Sequence, residues 1–357
     1  MKLLITTQAV DLDDPALGFF HRWIEEISKQ CDAVEVICLK GGRYNFPENV
    51  HVHSLGKERD SWHLTVGIWQ KNRQRLTYTF RFYRYIVSLR NKHDAVFVHM
   101  NSEYVCLGGF FWRLWGKRIV LWRNHKMSGF STWLAVKFAH RVCYTSATSY
   151  VAKFSNAVRM PIGIDTERFT IGEAKPPHGS MLFLGRIDKV KNPLVFLDAL
   201  ERLREAHIDF HADVYGAPTY PDDPQFGIFL ERAKLLQDLK LLSYLGPIAN
   251  EKTPPIYASH EVYINLTPSG SFDKTIGEAM ACGCIPIVSN DALRGSIPEQ
   301  LLVAPRGQDV VSAVLHVRSF SNEEREQLRR ASRDYIVLEH SLALLVQKLI
   351  PILRGTS

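Results

Sequence analysis

The chain has 357 residues, 46% hydrophobic and 23% charged, with a formal net charge of +7. At roughly 150 residues per domain this length predicts two domains. The composition excludes a disordered chain, a fibrous repeat and a multispan membrane protein, and no apolar run reaches the ~18 residues of a spanning helix. The opening Met1–Thr6 is too short for a secretory leader and reads as a buried first strand. Further strands are predicted at Ala33–Leu39, Asp94–His99, Arg118–Trp122 and Val142–Ser146. Helical patterns lie between them at Leu17–Lys29, Asp60–Arg90, Tyr104–Trp115 and Ser131–Ala139. Strands apolar on both faces, alternating with helices, predict an α/β doubly wound parallel sheet.

The second half repeats the theme. Strands are predicted at Ser180–Gly185, Phe210–Gly216, Val262–Thr267 and Cys284–Ser289, and helices at Pro193–Glu205, Gln225–Leu239, Lys274–Cys282, Asp309–Val317 and Asn322–Val337. Two prolines and two glycines in Thr170–Gly179 suggest a linker. The expected organisation is a first Rossmann-like domain over 1–169, the linker, and a second over 180–340. A C-terminal helix over 341–357 would pack back on the first domain. Two such domains would face each other across a ligand-binding cleft.

Charge divides unevenly. Residues 1–170 carry 24 Lys and Arg against 14 Asp and Glu, while residues 171–357 carry 20 against 23. A basic half and a mildly acidic half predict surfaces with different partners. Of the six cysteines only Cys282 and Cys284 stand close together, in an apolar run with no second Cys/His pair at ligand spacing. That favours core packing over zinc, and no metal is expected. The scattered cysteines suit a reduced, cytoplasmic compartment. Asp11-Leu12-Asp13 has the form of a metal-binding D-x-D, but it precedes a first helix and reads as a solvated loop.

Three segments carry chemistry. In Thr267–Asn290 a strand runs into a small, polar loop and then a helix starting near Lys274. Gly270 would permit close backbone approach, and Ser271 or Asp273 could cap the helix, whose first N–H groups favour an anion. Glu278, one turn in, could accept hydrogen bonds from sugar hydroxyls, or could merely complement the dipole or pair with a lysine. In Met181–Asn192 a strand delivers Gly185 and Arg186 to its carboxyl end, and Lys191 follows. Two cations there suit a diphosphate, and a solvated loop is the plain alternative. Met160–Phe169 holds Pro161 and Gly163 at a turn.

Taken together, these segments resemble the retaining glycosyltransferases of family 4, which have the GT-B fold. The resemblance rests on Pro161-Ile162-Gly163-Ile164-Asp165 with Phe169, on Gly185-Arg186 with Lys191-Asn192, and on Glu278-Ala279-Met280-Ala281-Cys282-Gly283-Cys284-Ile285-Pro286-Ile287. It covers most of residues 90–320. It implies an enzyme that transfers a sugar from a nucleotide diphosphate sugar, without a metal or cofactor and with retention at the anomeric carbon. Arg186 and Lys191 would hold the diphosphate and Glu278 the ribose. The stretch Gly270, Ser271, Phe272, Asp273, Lys274 and Thr275 would meet the donor's phosphate and sugar beside Gly185. His125 stands where the family often carries a histidine near the transferred sugar, with His99 as the alternative, and Gly18 resembles part of an acceptor-side glycine loop. The family's first glutamate of an E-x7-E pair is Gly270 here, and Asp273 is a nearby carboxylate. That departure also keeps open another GT-B enzyme, an epimerase or phosphorylase, and a non-catalytic scaffold.

Residues 69–92 alternate arginines with aromatics: Arg73, Arg75, Arg81, Arg84 and Arg90 with Tyr78, Phe80, Phe82, Tyr83 and Tyr85. Trp112, Arg113, Trp115, Lys117 and Arg118 add a second cluster. An ordinary amphipathic helix, an anionic membrane surface and nucleic acid each fit this pattern. No nucleic-acid motif supports the last, and no nucleic-acid partner is expected. A glycan or lipid-linked acceptor, met at the membrane periphery, fits the basic half.

Overall fold

The computed structural model describes residues 1–59, 68–220, 222–268 and 272–356, the side chains of 68–72 excepted. The chain divides into two compact units: residues 1–161 with 249–251 and 343–357, and residues 162–248 with 252–342.

The first unit is built on a parallel sheet of β1 (Lys2–Val10), β2 (Ala33–Gly41), β3 (Val50–Ser54), β4 (Ala95–His99), β5 (Arg118–Trp122), β6 (Arg141–Tyr144) and β7 (Ala157–Arg159). The described strands lie in the order β3-β2-β1-β4-β5-β6-β7. Helices α1 (Phe20–Ser28), α2 (Ile68–Ser88), α3 (Ser102–Leu114) and α4 (Phe130–Phe138) belong to the same unit. Strand β4 is buried at every residue, as its apolar run requires. Helix α2 seats Phe82 and Ile86 in the core with Trp112 of α3. The residues expected to begin this helix, 60–67, lie outside the described residues.

The second unit contains β8 (Ser180–Leu184), α5 (Pro193–Glu205), β9 (His211–Tyr215), α6 (Pro224–Asp238), β10 (Leu242–Gly246), α7 (Pro254–Ala258), β11 (Val262–Asn265), α8 (Lys274–Ala281), β12 (Ile285–Val288), α9 (Gly307–Ser319) and α10 (Asn322–His340). Its sheet is also parallel, in the order β10-β9-β8-β11-β12. The order reverses between β8 and β11, and ligands of such sheets sit beyond the strands' carboxyl ends at that point. A last helix, α11 (Leu342–Arg354), lies largely in the first unit, where Arg118 Nε donates to the carbonyl of Ile352 at 2.6 Å.

Two boundaries differ from the sequence expectation. The first unit ends at Pro161, not at 169. Ile162 and Ile164 are buried in the second unit's core, close over Gly277, and the amide of Ile164 donates to the carbonyl of His340 at 2.9 Å. Nor is Thr170–Gly179 a linker between units: it is a packed loop of the second. Glu261 accepts from the Gly179 amide at 2.7 Å and contacts His178 Nδ1 at 3.0 Å, and Gly172 lies against Ala258. Proline and glycine there mark a tight course over the surface, which composition alone does not distinguish from a hinge.

Candidate functional site

The carboxyl ends of β8 and β11 define the candidate site in the second unit. Beyond β8 the chain passes through Gly185 and Arg186 into a short turn capped by Asp188, whose carboxylate accepts from the amides of Val190 at 3.1 Å and Lys191 at 3.3 Å. Asn192 follows in the left-handed region, at φ 52°, a conformation asparagine tolerates, and Pro193 opens α5. The Asn192 side chain donates through Nδ2 to the carbonyl of Leu266 at 2.8 Å, which ties the β8 loop to the end of β11.

Beyond β11, Asp273 is the N-cap of α8 and accepts from the amide of Thr275. The same carboxylate is ion-paired with the ammonium of Lys191. It also accepts from Asn265 Nδ2 at 3.0 Å and from the Thr275 hydroxyl at 3.0 Å. The phenol of Tyr263 donates to the Thr275 hydroxyl at 2.8 Å or to the carbonyl of Leu184 at 3.0 Å. Lys191 and Asp273 have side chains only 11% and 16% exposed. Burial by itself would raise the pKa of Asp273, yet Lys191, Asn265 and Thr275 hold it at about 2. The structure thus brings Lys191 to the start of α8 through a carboxylate.

Lys274 is the first residue of that helix. Its ammonium donates to the carbonyls of Ile162 at 2.6 Å and Gly163 at 3.2 Å, so the Pro161–Asp165 turn is held at the same helix end. Desolvation lowers its pKa to about 7, with Glu278, one turn on, acting in the opposite sense. Glu278 is buried, and the phenol of Tyr257 donates to its carboxylate at 3.3 Å. Phe272 is buried and meets the ring of His340. Gly185 lies against the stem of Lys191. The guanidinium of Arg186 is exposed, 3.4 Å from the carboxylate of Asp188. Gly270 and Ser271 lie outside the described residues.

In the first unit, His125 follows β5, and its residue is exposed. Desolvation of the ring, reinforced by the charge of Arg123, lowers its pKa below 6.5. His99 ends β4 in the core, not at a surface. Its ring stacks on Phe20 at 3.8 Å between centroids, and its Nδ1 meets the Thr7 hydroxyl at 3.2 Å. Gly18 is also buried, where a Cβ would lie 2.8 Å from the carbonyl oxygen of Asp14. Close backbone approach accounts for that glycine. The Asp11–Asp13 loop is not solvated throughout: Asp11 is 8% exposed, accepts from Lys40 at 3.2 Å and from the amide of Arg43 at 3.1 Å. Among the described residues no group of three metal-ligating side chains converges.

Sequence reasoning passed over Asp188, Asn265 and Tyr263 as site builders and named Asn192 only as part of a motif. One signal was available: Asn265 ends the apolar run of β11 with a polar group and Thr267 follows it, which a buried strand end accepts only when they are hydrogen-bonded.

Residues 178–319 match the family model of glycosyl transferases group 1. A D-inositol 3-phosphate glycosyltransferase of Paenarthrobacter aurescens (strain TC1) is 27% identical over 141 residues, which are 36% of this chain. The match spans about a third (34%) of that relative's length. Among solved structures, HepE of Anabaena in complex with UDP and glucose superposes with a TM-score of 0.75 at 13% identity, covering 99% of this chain and 100% of that one. Sucrose-phosphate synthase of Thermosynechococcus elongatus gives 0.75 at 14% identity, covering 100% and 99%. The chain therefore has the GT-B fold, two Rossmann-like domains, and the match to the group 1 model falls in the second.

Proposed function

We propose that this protein is a glycosyltransferase that moves a sugar from a nucleotide diphosphate sugar to a glycan or lipid-linked acceptor, with retention at the anomeric carbon. One observation carries the reading. At the reversal point of the second sheet, the Lys191 ammonium meets the N-cap carboxylate of α8, Asp273. A side-chain cation and a helix N-terminus together suit a diphosphate. An ammonium has three donors, so its pairing with Asp273 leaves N–H groups for a phosphate oxygen, although the pair itself is neutral overall. The group 1 match over the same residues and the UDP complex of a fold neighbour support a nucleotide-sugar donor.

In this reading catalysis is electrostatic. Arg186, Lys191 and the amino end of α8 stabilise the departing diphosphate, the work a metal ion does in other transferases. Glu278 binds the donor's ribose, and Gly185 and the Asp273–Thr275 turn lie beside its phosphates. The resemblance assigns His125 to the transferred sugar. No carboxylate is assigned as a covalent nucleophile, and the resemblance implies a route in which the leaving phosphate helps to deprotonate the acceptor on the same face.

A hydrogen bond to a charged group contributes roughly 1.5–3 kcal/mol. The Arg186→Ala/Lys191→Ala variant should therefore lose about tenfold to a hundredfold or more in turnover, measured by product formation from sugar nucleotides with and without acceptor. Wild-type transfer by that variant overturns the diphosphate assignment. Conversion of the donor without acceptor identifies an epimerase instead.

A further inference from the structure

We propose that the outward faces of α2 and α3 dock this protein on an anionic lipid surface, whatever sugar it transfers. Helix α2 is apolar on two separate faces. Phe82 and Ile86 face the core. On the other side Leu76 and Phe80, one turn apart, are each 70% exposed, and Val87 continues their line at 44%. On α3, Phe110 and Leu114 are 60% and 69% exposed, again one turn apart. The two helices touch where Tyr83 meets Phe111 edge to face, 5.9 Å between ring centroids. Large apolar side chains thus stand in water on neighbouring helices, with nothing from the described chain over them.

The charge around them has one sign. Residues 61–140 hold thirteen Lys and Arg against two acids, Asp94 and Glu103. Without this stretch the chain would be net negative. Arg73, Arg84, Arg90 and Arg113 are exposed among the apolar side chains. A shallow, open hollow of about 600 Å3 lies along α2, lined by Phe80, Tyr83 and Val87 and by Arg84, Ser88, Arg90 and Asn91. Two guanidinium groups beside aromatic and aliphatic walls suit a headgroup phosphate with the start of an acyl chain. Charge complementarity selects the occupant. A second copy would bring thirteen cations against thirteen, whereas an anionic leaflet attracts every one of them and accepts the apolar side chains between them. No described helix is long and apolar enough to cross a membrane, so the contact lies at the surface.

The test is sedimentation of the full chain with phosphatidylcholine vesicles, with and without about one third phosphatidylglycerol. Binding should require the anionic lipid. Phe80→Ser/Leu114→Ser should weaken it tenfold or more, and Arg84→Glu/Arg90→Glu at least as much, with melting temperatures unchanged because these side chains are exposed. Equal affinity for neutral and anionic vesicles, or none for either, overturns the proposal. So does anionic-vesicle binding that the Phe80/Leu114 variant leaves intact. Self-association without vesicles, abolished in that same variant, would make this face a contact between copies and would also overturn it.

Discussion

Asp273 and Lys274 are adjacent in sequence and both have lowered pKa values, which favours the charged form of the first and the neutral form of the second. Asp273 is held at about 2, below its ordinary 3.8, so the stability it contributes is present above pH 3.8 and lost as pH falls through about 2. Removing its charge leaves the Lys191 ammonium buried without its partner. Breaking such a pair costs about 3–5 kcal/mol. Asp273→Asn, which keeps a capping side chain, should lower the unfolding free energy by roughly that amount at neutral pH, measured by urea denaturation. Unchanged stability would mean that the pair contributes nothing. Lys274 titrates near 7 when folded and near 10.5 when unfolded. Between those values the unfolded chain binds more protons, so its contribution to stability rises with pH. Lys274→Met should flatten that rise across pH 7 to 10. Parallel pH profiles for the variant and the wild type would contradict the burial argument.

At the scale of elements, the site depends on strand ends that no side chain is allowed to part. Gly216, just past β9, has φ 154°, and a Cβ there would lie 1.8 Å from the carbonyl oxygen of Gly185. Gly277, inside α8, faces the ends of the Ile162 and Ile164 side chains, the nearest at 2.6 Å. Backbone cannot yield as a side-chain tip can. Gly216→Ala should therefore destabilise more than Gly277→Ala, for which overpacking implies about 1–3 kcal/mol, and thermal unfolding ranks the two. The same contrast explains what was legible in the sequence. Strands β4, β5, β8 and β12 stand out as apolar runs because both their faces are covered. The edge strands β3 and β10, Val50–Ser54 and Leu242–Gly246, are half exposed and mixed in polarity, so no run marks them. Short β7 lies at the other edge of the first sheet. Lys191 and Lys274 could be located by motif, but that one is paired with Asp273 and the other reaches back to Ile162 depends on contacts 82 and 112 residues apart in the chain.

Across the whole molecule, two chemically distinct surfaces follow from one uneven charge distribution. The second unit gathers a few buried, paired charges at the reversal of its sheet. The first carries an excess of exposed cations among apolar side chains, an arrangement suited to an extended anionic partner. Sequence patterning anticipated the α/β class and both sheets, and solved structures of the same fold superpose over nearly the full chain. Where the first unit ends was not legible, because the residues that decide it, Ile162 and Ile164, are ordinary apolar side chains whose partner is a glycine more than a hundred positions away. The account rests on a diphosphate held by Lys191 and Arg186 at the amino end of α8. Calorimetric titration of nucleoside diphosphates into the wild type and Lys191→Ala tests it most directly. Binding by the wild type, weakened tenfold or more in the variant, is predicted; no binding by the wild type, or equal affinity in both, would contradict it.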